Sequence, residues 1–108
     1  MATHVTGQAS HDDPTHVDPK HYTIEVENEQ IRVLRVRYGP HEKSEMHAHP
    51  AIVAIMLTDA RLGMSYPDGR TEEIGGKAGE VMSMPATVHL PENLSDQTFE
   101  AILIELKK

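Results

Sequence analysis

Two histidines separated by one residue, His47 and His49 in the segment EMHAHP, are the residues of this sequence best suited to chemistry. Alternate side chains of a β-strand point to the same face, so both imidazoles would lie on one side, about 6 to 7 Å apart along the strand. Imidazole nitrogen suits zinc, copper, iron and nickel, whereas magnesium and calcium prefer oxygen. The pair therefore predicts two ligands of a transition-metal site. The alternative is a polar corner before a buried strand.

A third histidine, His89 in MPATVHLPEN, follows a proline turn at the start of a predicted strand. In a fold of two β-sheets, strands that are far apart in the sequence can be neighbours across the interior. Three histidines from two strands would form a facial ligand set with open positions for a substrate, dioxygen or water. The alternative is that His89 is a half-buried strand histidine hydrogen-bonded to the backbone.

Other residues near these histidines are candidates for catalysis and for a pocket. Glu45 has the strand parity of the histidine pair and could supply a fourth ligand or a base, with a solvated loop carboxylate as the alternative. His41 lies in a polar connection and could be a proton shuttle near neutral pH, with an exposed histidine as the alternative. Apolar side chains could line a pocket or simply fill the core. The predicted pocket residues are Val53, Met56, Met64, Met82 and Met84.

The elements that must position these residues are strands. From Tyr22 onward, apolar and polar residues alternate in short segments separated by turns, such as YTIEVE and TFEAILIELKK. In IRVLRVRY the apolar residues change parity midway, which predicts a bulge or a twist. AIVAIML is apolar at both parities, as expected of a strand covered on both faces. No segment has sustained helical periodicity, so the sequence predicts an all-β, antiparallel sandwich or small barrel with little or no helix.

Composition excludes several functional classes. The 108 residues fit one domain, and the absence of cysteine excludes disulfides, thiolate nucleophiles and cysteine-bound zinc. A formal net charge of −7 disfavours binding to nucleic acid and to anionic membranes. No apolar run is long enough to span a bilayer, and no secretory signal is recognisable. We therefore expect no nucleic-acid partner, no membrane partner and a cytoplasmic location.

The beginning of the chain differs from the rest. It contains Pro14, Pro19 and the segment HDDP without hydrophobic periodicity, so residues 1–20 are predicted to be a poorly structured N-terminal arm. Weak metal capture by its irregularly spaced histidines and docking of the arm are alternatives; the histidines are His4, His11, His16 and His21. Residues 21–108 are predicted to form the single β domain.

The histidines and their spacing resemble the cupin superfamily. His47 and His49 match the His-x-His pair of the first cupin motif, and Gly63 corresponds to its closing glycine, displaced by a few residues. The second motif is matched by Gly79, Pro85, His89 and Asn93. The matches span about half of the chain. Segments such as YGPHEKSEMHAHP and HLPENLSDQTFEAILIELKK are similar to a group of small bacterial single-domain cupins.

The sequence also departs from the cupin pattern. Val53 and Ala54 stand where the first motif has its glutamate ligand, and His41 stands where it has its leading glycine. Ala86 or Thr87 replaces the glycine of the second motif. Without the glutamate, the resemblance implies a site of three neutral histidines, which leaves one more positive charge on the metal than a site with a carboxylate.

The resemblance implies a double-sheet jelly-roll barrel with one divalent transition metal per chain, iron being favoured and manganese, nickel, copper or zinc being alternatives. Cupins with three histidines include Fe(II) enzymes similar to cysteine dioxygenase and to diketone-cleaving dioxygenases. The expected function is therefore oxygen-dependent cleavage of a small chelating substrate. The alternatives are a metal-dependent lyase or isomerase without redox chemistry, and a non-catalytic cupin that binds a metal or a small ligand. Small cupins usually dimerise, so we expect a homodimer that covers apolar sheet surface and edge strands.

Overall fold

The computed structural model describes residues 12–107 of the chain, which are almost entirely β-structure. In this range one short helix, α1 (Pro14–Val17), precedes nine strands. The strands are β1 (Tyr22–Glu27), β2 (Ile31–Tyr38), β3 (His47–His49), β4 (Ile52–Met56), β5 (Ala60–Ser65), β6 (Thr71–Gly76), β7 (Val81–Met84), β8 (Thr87–Asn93) and β9 (Phe99–Leu106). The prediction of an all-β domain with little helix is confirmed. The described helix is too short to span a membrane.

The strands form two antiparallel sheets that enclose one core. The five-stranded sheet has the order β1-β2-β9-β4-β7, and the four-stranded sheet has the order β3-β8-β5-β6. Buried and partly exposed residues alternate along β4, β8 and β9, as the two-residue period of a strand requires. Buried apolar side chains from both sheets meet in a single cluster between them. This arrangement is the predicted double-sheet jelly roll.

The irregularity predicted in IRVLRVRY lies in the neighbouring strand. β2 pairs with β9 in unbroken register along its whole length, and the register shift occurs between Ile24 and Val26 of β1. β2 is hydrogen-bonded on both sides, whereas β1 is an edge strand, so an extra residue in β1 disturbs fewer ladder hydrogen bonds. The change of parity in β2 reflects its two faces, because Leu34 is buried in the core and Val33 is half-buried on the outer face.

Part of the predicted N-terminal arm is docked onto the domain. The Asp13 side chain caps α1 by accepting a hydrogen bond from the Thr15 N–H (2.9 Å), and Pro14 is buried in the first turn. The Asp12 carbonyl accepts a hydrogen bond from the Ala48 N–H (2.9 Å), so the arm covers the free edge of β3.

Within the predicted arm, the described residues 12–20 contain a helical turn and contacts with the β domain, in line with the docking alternative. Hydrophobic periodicity did not reveal the docking, because the contacts that hold this segment are a helix cap, a buried proline and a backbone hydrogen bond. Residues 1–11, with His4 and His11, lie outside the described part of the chain, as does Lys108.

Candidate metal centre

The three predicted ligands are brought together by two adjacent strands. β3 pairs with β8, and in this register His47 lies opposite His89 while His49 lies opposite Thr87. His47 and His49 have the buried parity of β3, and His89 has the buried parity of β8. We had expected the two strands to meet across the interior. They are instead hydrogen-bonded neighbours in the four-stranded sheet, so the three imidazoles project from one sheet into the space between the sheets.

The imidazoles form a compact cluster in the interior. The ring centroids of His47 and His49 are 4.8 Å apart, those of His47 and His89 are 4.9 Å apart, and those of His49 and His89 are 5.3 Å apart. Each residue offers a nitrogen atom that lies within 4.8 Å of those of the other two. All three residues are buried, with no more than 4% of their surface exposed.

Burial keeps the imidazoles of His47 and His89 neutral near pH 7. Desolvation, with a further contribution from neighbouring His49, lowers the pKa of His47 to about 4. Desolvation likewise lowers the pKa of His89 to about 3, and His49 and His47 add to this shift. Only the neutral form of a histidine can bind a metal through a ring nitrogen. His47 and His89 are therefore in the correct protonation state for metal binding at neutral pH.

The hydrogen bonding of the cluster leaves two nitrogen atoms without a partner. His47 donates from Nδ1 to the Glu45 carbonyl oxygen (2.8 Å), which leaves Nε2 as the nitrogen with a free lone pair. The Nε2 atoms of His47 and His89 are buried and have no hydrogen-bond partner within residues 12–107. A buried polar atom without a partner costs about 1–3 kcal/mol. A metal ion bound by these nitrogens would remove that penalty, so the residues fit a metal.

His49 is hydrogen-bonded through Nδ1 to a buried carboxylate. Glu105 of β9 accepts from His49 Nδ1 through Oε2 (3.0 Å) and from Arg32 Nε through Oε1 (2.8 Å). Burial raises the pKa of Glu105, but the hydrogen bonds from His49 and Arg32 outweigh this effect, and its pKa lies below the ordinary value. Metal-binding histidines commonly donate their second ring nitrogen to a carboxylate in this way.

A small apolar cavity lies beside the imidazoles. It has a volume of about 50 Å³, which is room for a few water molecules. His49 and His89 contribute to its wall, together with Tyr22 and Tyr38, whose hydroxyls are 2.7 Å apart. The remaining lining residues are apolar: Val36, Ile52, Ala54, Met56, Leu62, Met64, Met84, Pro91, Phe99, Ala101 and Leu103.

Three of the five predicted pocket residues line this cavity. Met56, Met64 and Met84 do so, whereas Val53 and Met82 do not. Val53 has the opposite parity to the buried residues of β4 and is half-buried on the outer face, while Met82 packs against the edge of the core. Of the two residues at the place of the motif glutamate, Ala54 is therefore the one that faces the interior.

The structure does not bring the two predicted catalytic residues to the cluster. His41 is exposed, has a positive φ of 62° and hydrogen-bonds through Nε2 to Asp96 (2.6 Å). Glu45 is exposed and lies outside β3, so strand parity does not apply to its side chain. It contributes to the site through its main-chain carbonyl, which accepts from His47.

The sequence analysis missed the residues that support the histidines. Arg32 and Glu105 lie on the buried parity of β2 and β9 and are direct cross-strand partners. A charged residue at a core position of an alternating strand is the signal that could have identified each of them. Asp18 and Ser44 are also buried beside the site. No pattern marks those two, because they lie in irregular segments.

Comparisons with known proteins agree on the fold. No protein-family model matches the sequence, and no curated protein matches it. A cupin domain from Bordetella pertussis Tohama I is 27% identical, with a TM-score of 0.74 over 81% of this chain and 92% of that one. An RmlC-like cupin family protein from Methanocaldococcus jannaschii is 16% identical, with a TM-score of 0.59 over 82% of this chain and 83% of that one.

A third similar structure is that of an enzyme whose activity is known by name. The polyketide cyclase RemF from Streptomyces resistomycificus is 23% identical, with a TM-score of 0.55 over 75% of this chain and 57% of that one. These structures share the double-sheet architecture described above, and the histidine cluster of this chain lies between the two sheets. The chain therefore has the cupin fold.

Proposed function

We propose that His47, His49 and His89 bind one divalent transition metal, with iron favoured, and that the protein is an Fe(II) dioxygenase-like enzyme that cleaves a small chelating substrate such as a diketone. The observation that carries the proposal is the pair of buried Nε2 atoms, on His47 and His89, that have no hydrogen-bond partner among the described residues. A folded protein rarely leaves such atoms unpaired unless a ligand satisfies them. The set of three nitrogens favours iron, zinc, copper or nickel over magnesium and calcium.

The composition of the cavity wall, rather than the cavity's volume of about 50 Å³, supports a small and mostly apolar substrate. None of the described residues that line it carries an ammonium, guanidinium or carboxylate group. An anionic group of a substrate would therefore find its only opposite charge at the metal. The apolar wall would bind the rest of the substrate and exclude water from the reacting groups.

The side chains of the cavity also favour chemistry that needs no protein base. Burial raises the pKa of both Tyr22 and Tyr38 above the ordinary tyrosine value, so their hydroxyls are poor proton donors near pH 7. A bound Fe(II) would supply Lewis acidity toward a chelating substrate and the redox chemistry of dioxygen. The role of this chain's own residues is then to keep His47 and His89 neutral and to orient the substrate against the methionine wall.

A metal-dependent lyase, isomerase or cyclase reaction without redox chemistry is the second candidate. The similarity to a polyketide cyclase favours it, because that enzyme is built on the same fold. A non-catalytic cupin that binds a metal or a small ligand is the third possibility. All three use the same ligands, so the metal must be identified first.

Metal analysis of protein purified without a histidine tag tests the site. We expect about one metal ion per chain in the wild type and loss of the metal in His49→Ala. His41→Ala is the matched control, because it removes an exposed histidine that is bonded to Asp96 and should leave the metal content unchanged. A wild type without metal, or a metal content that is the same in His49→Ala, would disprove the proposed site.

Oxygen uptake distinguishes the candidate functions. A dioxygenase should consume oxygen with a member of a panel of diketones, thiols and keto acids, and its turnover should stop under anaerobic conditions. Equal turnover without oxygen would support the second candidate. A binding protein should show ligand-dependent thermal stabilisation without turnover.

We also propose that the chain forms a homodimer and functions in the cytoplasm. The dimer is supported by exposed apolar side chains on the outer face of the five-stranded sheet, where Val26, Val81 and Leu106 are 54%, 61% and 39% exposed. Both edges of this sheet, β1 and β7, are free within residues 12–107. Sedimentation equilibrium should give twice the mass of the chain, and Val81→Lys should shift the protein toward the monomer.

A further inference from the structure

We propose that the segment 12–21, here called the clamp arm, orients the two histidines of the HAH pair through two separate chains of hydrogen bonds and thereby slows the release of the metal. The inference rests on the proposed metal site. It adds that Asp18 and Asp13, at the two ends of helix α1, are positioning residues for His47 and His49 respectively.

The first chain leads from Asp18 to His47. The Ser44 hydroxyl donates to Asp18 Oδ2 (2.5 Å), and His47 Nδ1 lies 3.2 Å from the same hydroxyl oxygen. The hydroxyl hydrogen is used by the carboxylate, so the hydroxyl oxygen is an acceptor for the N–H of His47. His47 Nδ1 thus has two acceptors, Ser44 Oγ and the Glu45 carbonyl oxygen, and its Nε2 is kept free for a metal.

Asp18 is itself fixed in place by the end of the clamp arm. His21 Nδ1 contacts both carboxylate oxygens of Asp18, at 2.9 and 2.8 Å, and its Nε2 lies 3.0 Å from Glu42 Oε1. The His21 ring stacks on Tyr38 with the centroids 4.3 Å apart. Asp18 and His21 are both buried. The carboxylate that orients Ser44 therefore cannot rotate without disturbing several packed groups.

The second chain leads from Asp13 to His49. Asp13 Oδ1 accepts a hydrogen bond from Arg32 Nη2 (3.0 Å), and Asp13 Oδ2 lies 2.8 Å from Arg32 Nη1 in the same ion pair. Arg32 donates from Nε to Glu105, and Glu105 accepts from His49 Nδ1. The Arg32 side chain is 12% exposed and that of Glu105 is 5% exposed, so this network is largely shielded from water. Bidentate arginine–carboxylate pairs restrict the orientation of both groups.

The clamp arm also restrains the strand that carries both histidines. β3 is only three residues long and is the edge strand of its sheet. Its free edge is covered by the arm, since the Asp12 carbonyl accepts from the N–H of Ala48, the residue between the two histidines. Edge strands without a neighbour have unpaired backbone groups and open readily. The arm therefore holds the backbone and both imidazoles at once.

His89 provides an internal comparison. Its Nε2 atom makes no hydrogen bond to any residue that the structure describes, and the ring is positioned by β8 and by contact with the other two imidazoles. If the clamp arm acts through the two hydrogen-bond chains, removal of one chain should disturb its own histidine and leave His89 nearly unchanged. A general loss of stability would disturb all three histidines together.

Release of bound Co²⁺ to a chelator is the first measurement, on the full-length chain. Asp13→Asn keeps the helix cap but removes the charge that faces Arg32, and Ser44→Ala removes only the hydroxyl that links Asp18 to His47. We expect each variant to release the metal about 10-fold faster. This is near the lower end of the effects seen when a hydrogen-bond partner of a metal ligand is removed. Asp18→Asn should act like Ser44→Ala, and the double variant should add little because both residues belong to one chain. Asp12→Asn is the control in the same arm, because it changes only an exposed side chain and keeps the main-chain carbonyl that accepts from Ala48, so it should release the metal at the wild-type rate.

Nitrogen NMR of the histidine rings in metal-free protein is the second measurement. We expect Asp13→Asn to shift the ring signals of His49 and Ser44→Ala to shift those of His47, with His89 nearly unchanged in both. Wild-type release rates in Asp13→Asn and Ser44→Ala, or equal shifts of all three histidines, would overturn the inference. If the wild type bound no metal, the proposed function would fail, and the ring signals alone would still decide whether the arm orients the two histidines.

Discussion

The interior of this protein has a polar half and an apolar half that are stabilised in different ways. The polar half consists of the three histidines with Glu105 and Asp18 behind them, and the apolar half consists of the methionines and aliphatic residues of the cavity wall. The apolar side chains are satisfied by contact with one another. The hydrogen-bond partners of the polar half lie only on its outer side. Two inward-facing ring nitrogens have no hydrogen-bond partner in the part of the chain described.

Because of this difference, the stability of the fold and the binding of the metal depend on different residues. Burial of apolar surface stabilises the fold without any ligand, whereas the unpaired nitrogens destabilise the metal-free protein and are stabilised when a metal binds. Changes in the apolar half should therefore alter unfolding and leave the metal in place. Changes in the polar half should alter the metal affinity, and they can even increase the stability of the metal-free protein.

The pH dependence of the metal-free protein should show the largest effect. The folded-state pKa values of His47 and His89, about 4 and about 3, lie below the ordinary value of 6.5. The unfolded chain therefore binds more protons, so the stabilisation is present above pH 6.5 and is lost as the pH falls below it. We expect a loss of several kcal/mol between pH 6.5 and 4.5, measured by urea unfolding.

The matched variant for this measurement is His89→Gln, which removes one of the two titrating groups. Its unfolding free energy should change clearly less with pH over the same interval. An equal pH dependence in His89→Gln and the wild type would show that other groups are responsible.

Met64→Ala should be the next largest change, and it lies in the apolar half. Met64 is 5% exposed and lines the cavity. Truncation of a buried methionine costs about 2–5 kcal/mol of unfolding free energy. We expect that loss in chemical denaturation, with the metal content per folded chain unchanged. Met64→Leu is the volume-conserving control and should cost less than about 1.5 kcal/mol. Loss of the metal in Met64→Ala would contradict the separation of the two halves.

Glu105→Gln should weaken metal binding without removing it. The substitution keeps the shape of the side chain but removes the charge that accepts from His49 Nδ1. Partners of this kind contribute about 10–100-fold in metal affinity, which corresponds to about 1.4–2.7 kcal/mol. Glu100→Gln, on the same strand but only half-buried and facing outward, is the control for a competition titration. Unchanged affinity in Glu105→Gln would show that His49 needs no carboxylate behind it.

His89→Leu should give a smaller effect of opposite sign on stability. Leucine is similar in size and has no polar atom, so it removes the buried Nε2 without a partner. We expect the metal-free variant to be more stable than the metal-free wild type by about 1–3 kcal/mol. The same variant should lose the metal. A destabilised metal-free variant would indicate that His89 contributes packing or hydrogen bonding that the unpaired nitrogen does not reveal.

The sequence predicted the residues of the site better than their surroundings. Strand alternation placed His47 and His49 on one face, because a period of two residues is a local property of the backbone. Alternation also predicted most of the strands. It did not predict that β3 and β8 are adjacent, and it did not distinguish Val53 from Ala54, since a segment that is apolar at both parities does not reveal which face is inward.

The segments without periodicity were the least predictable. Proline and polar residues in the N-terminal arm indicated little structure, yet residues 12–20 dock through a cap, a buried proline and hydrogen bonds to distant strands. Glu45 was predicted to face the site from its strand parity with the histidine pair, and His41 from its ability to carry a proton near neutral pH. Their side chains are instead exposed, because both residues lie in an irregular connection before β3, where strand parity does not apply.

The sequence by itself determined the period of the strands, the turns between them and the residue types of the ligand set, because these depend on neighbouring residues along the chain. Only the tertiary structure decided which atoms meet. Arg32 and Glu105 are 73 residues apart in the sequence and become direct neighbours when β2 pairs with β9. His47 and His89 become neighbours when β3 pairs with β8. Such contacts depend on the order of strands in the sheets, which no local pattern specifies.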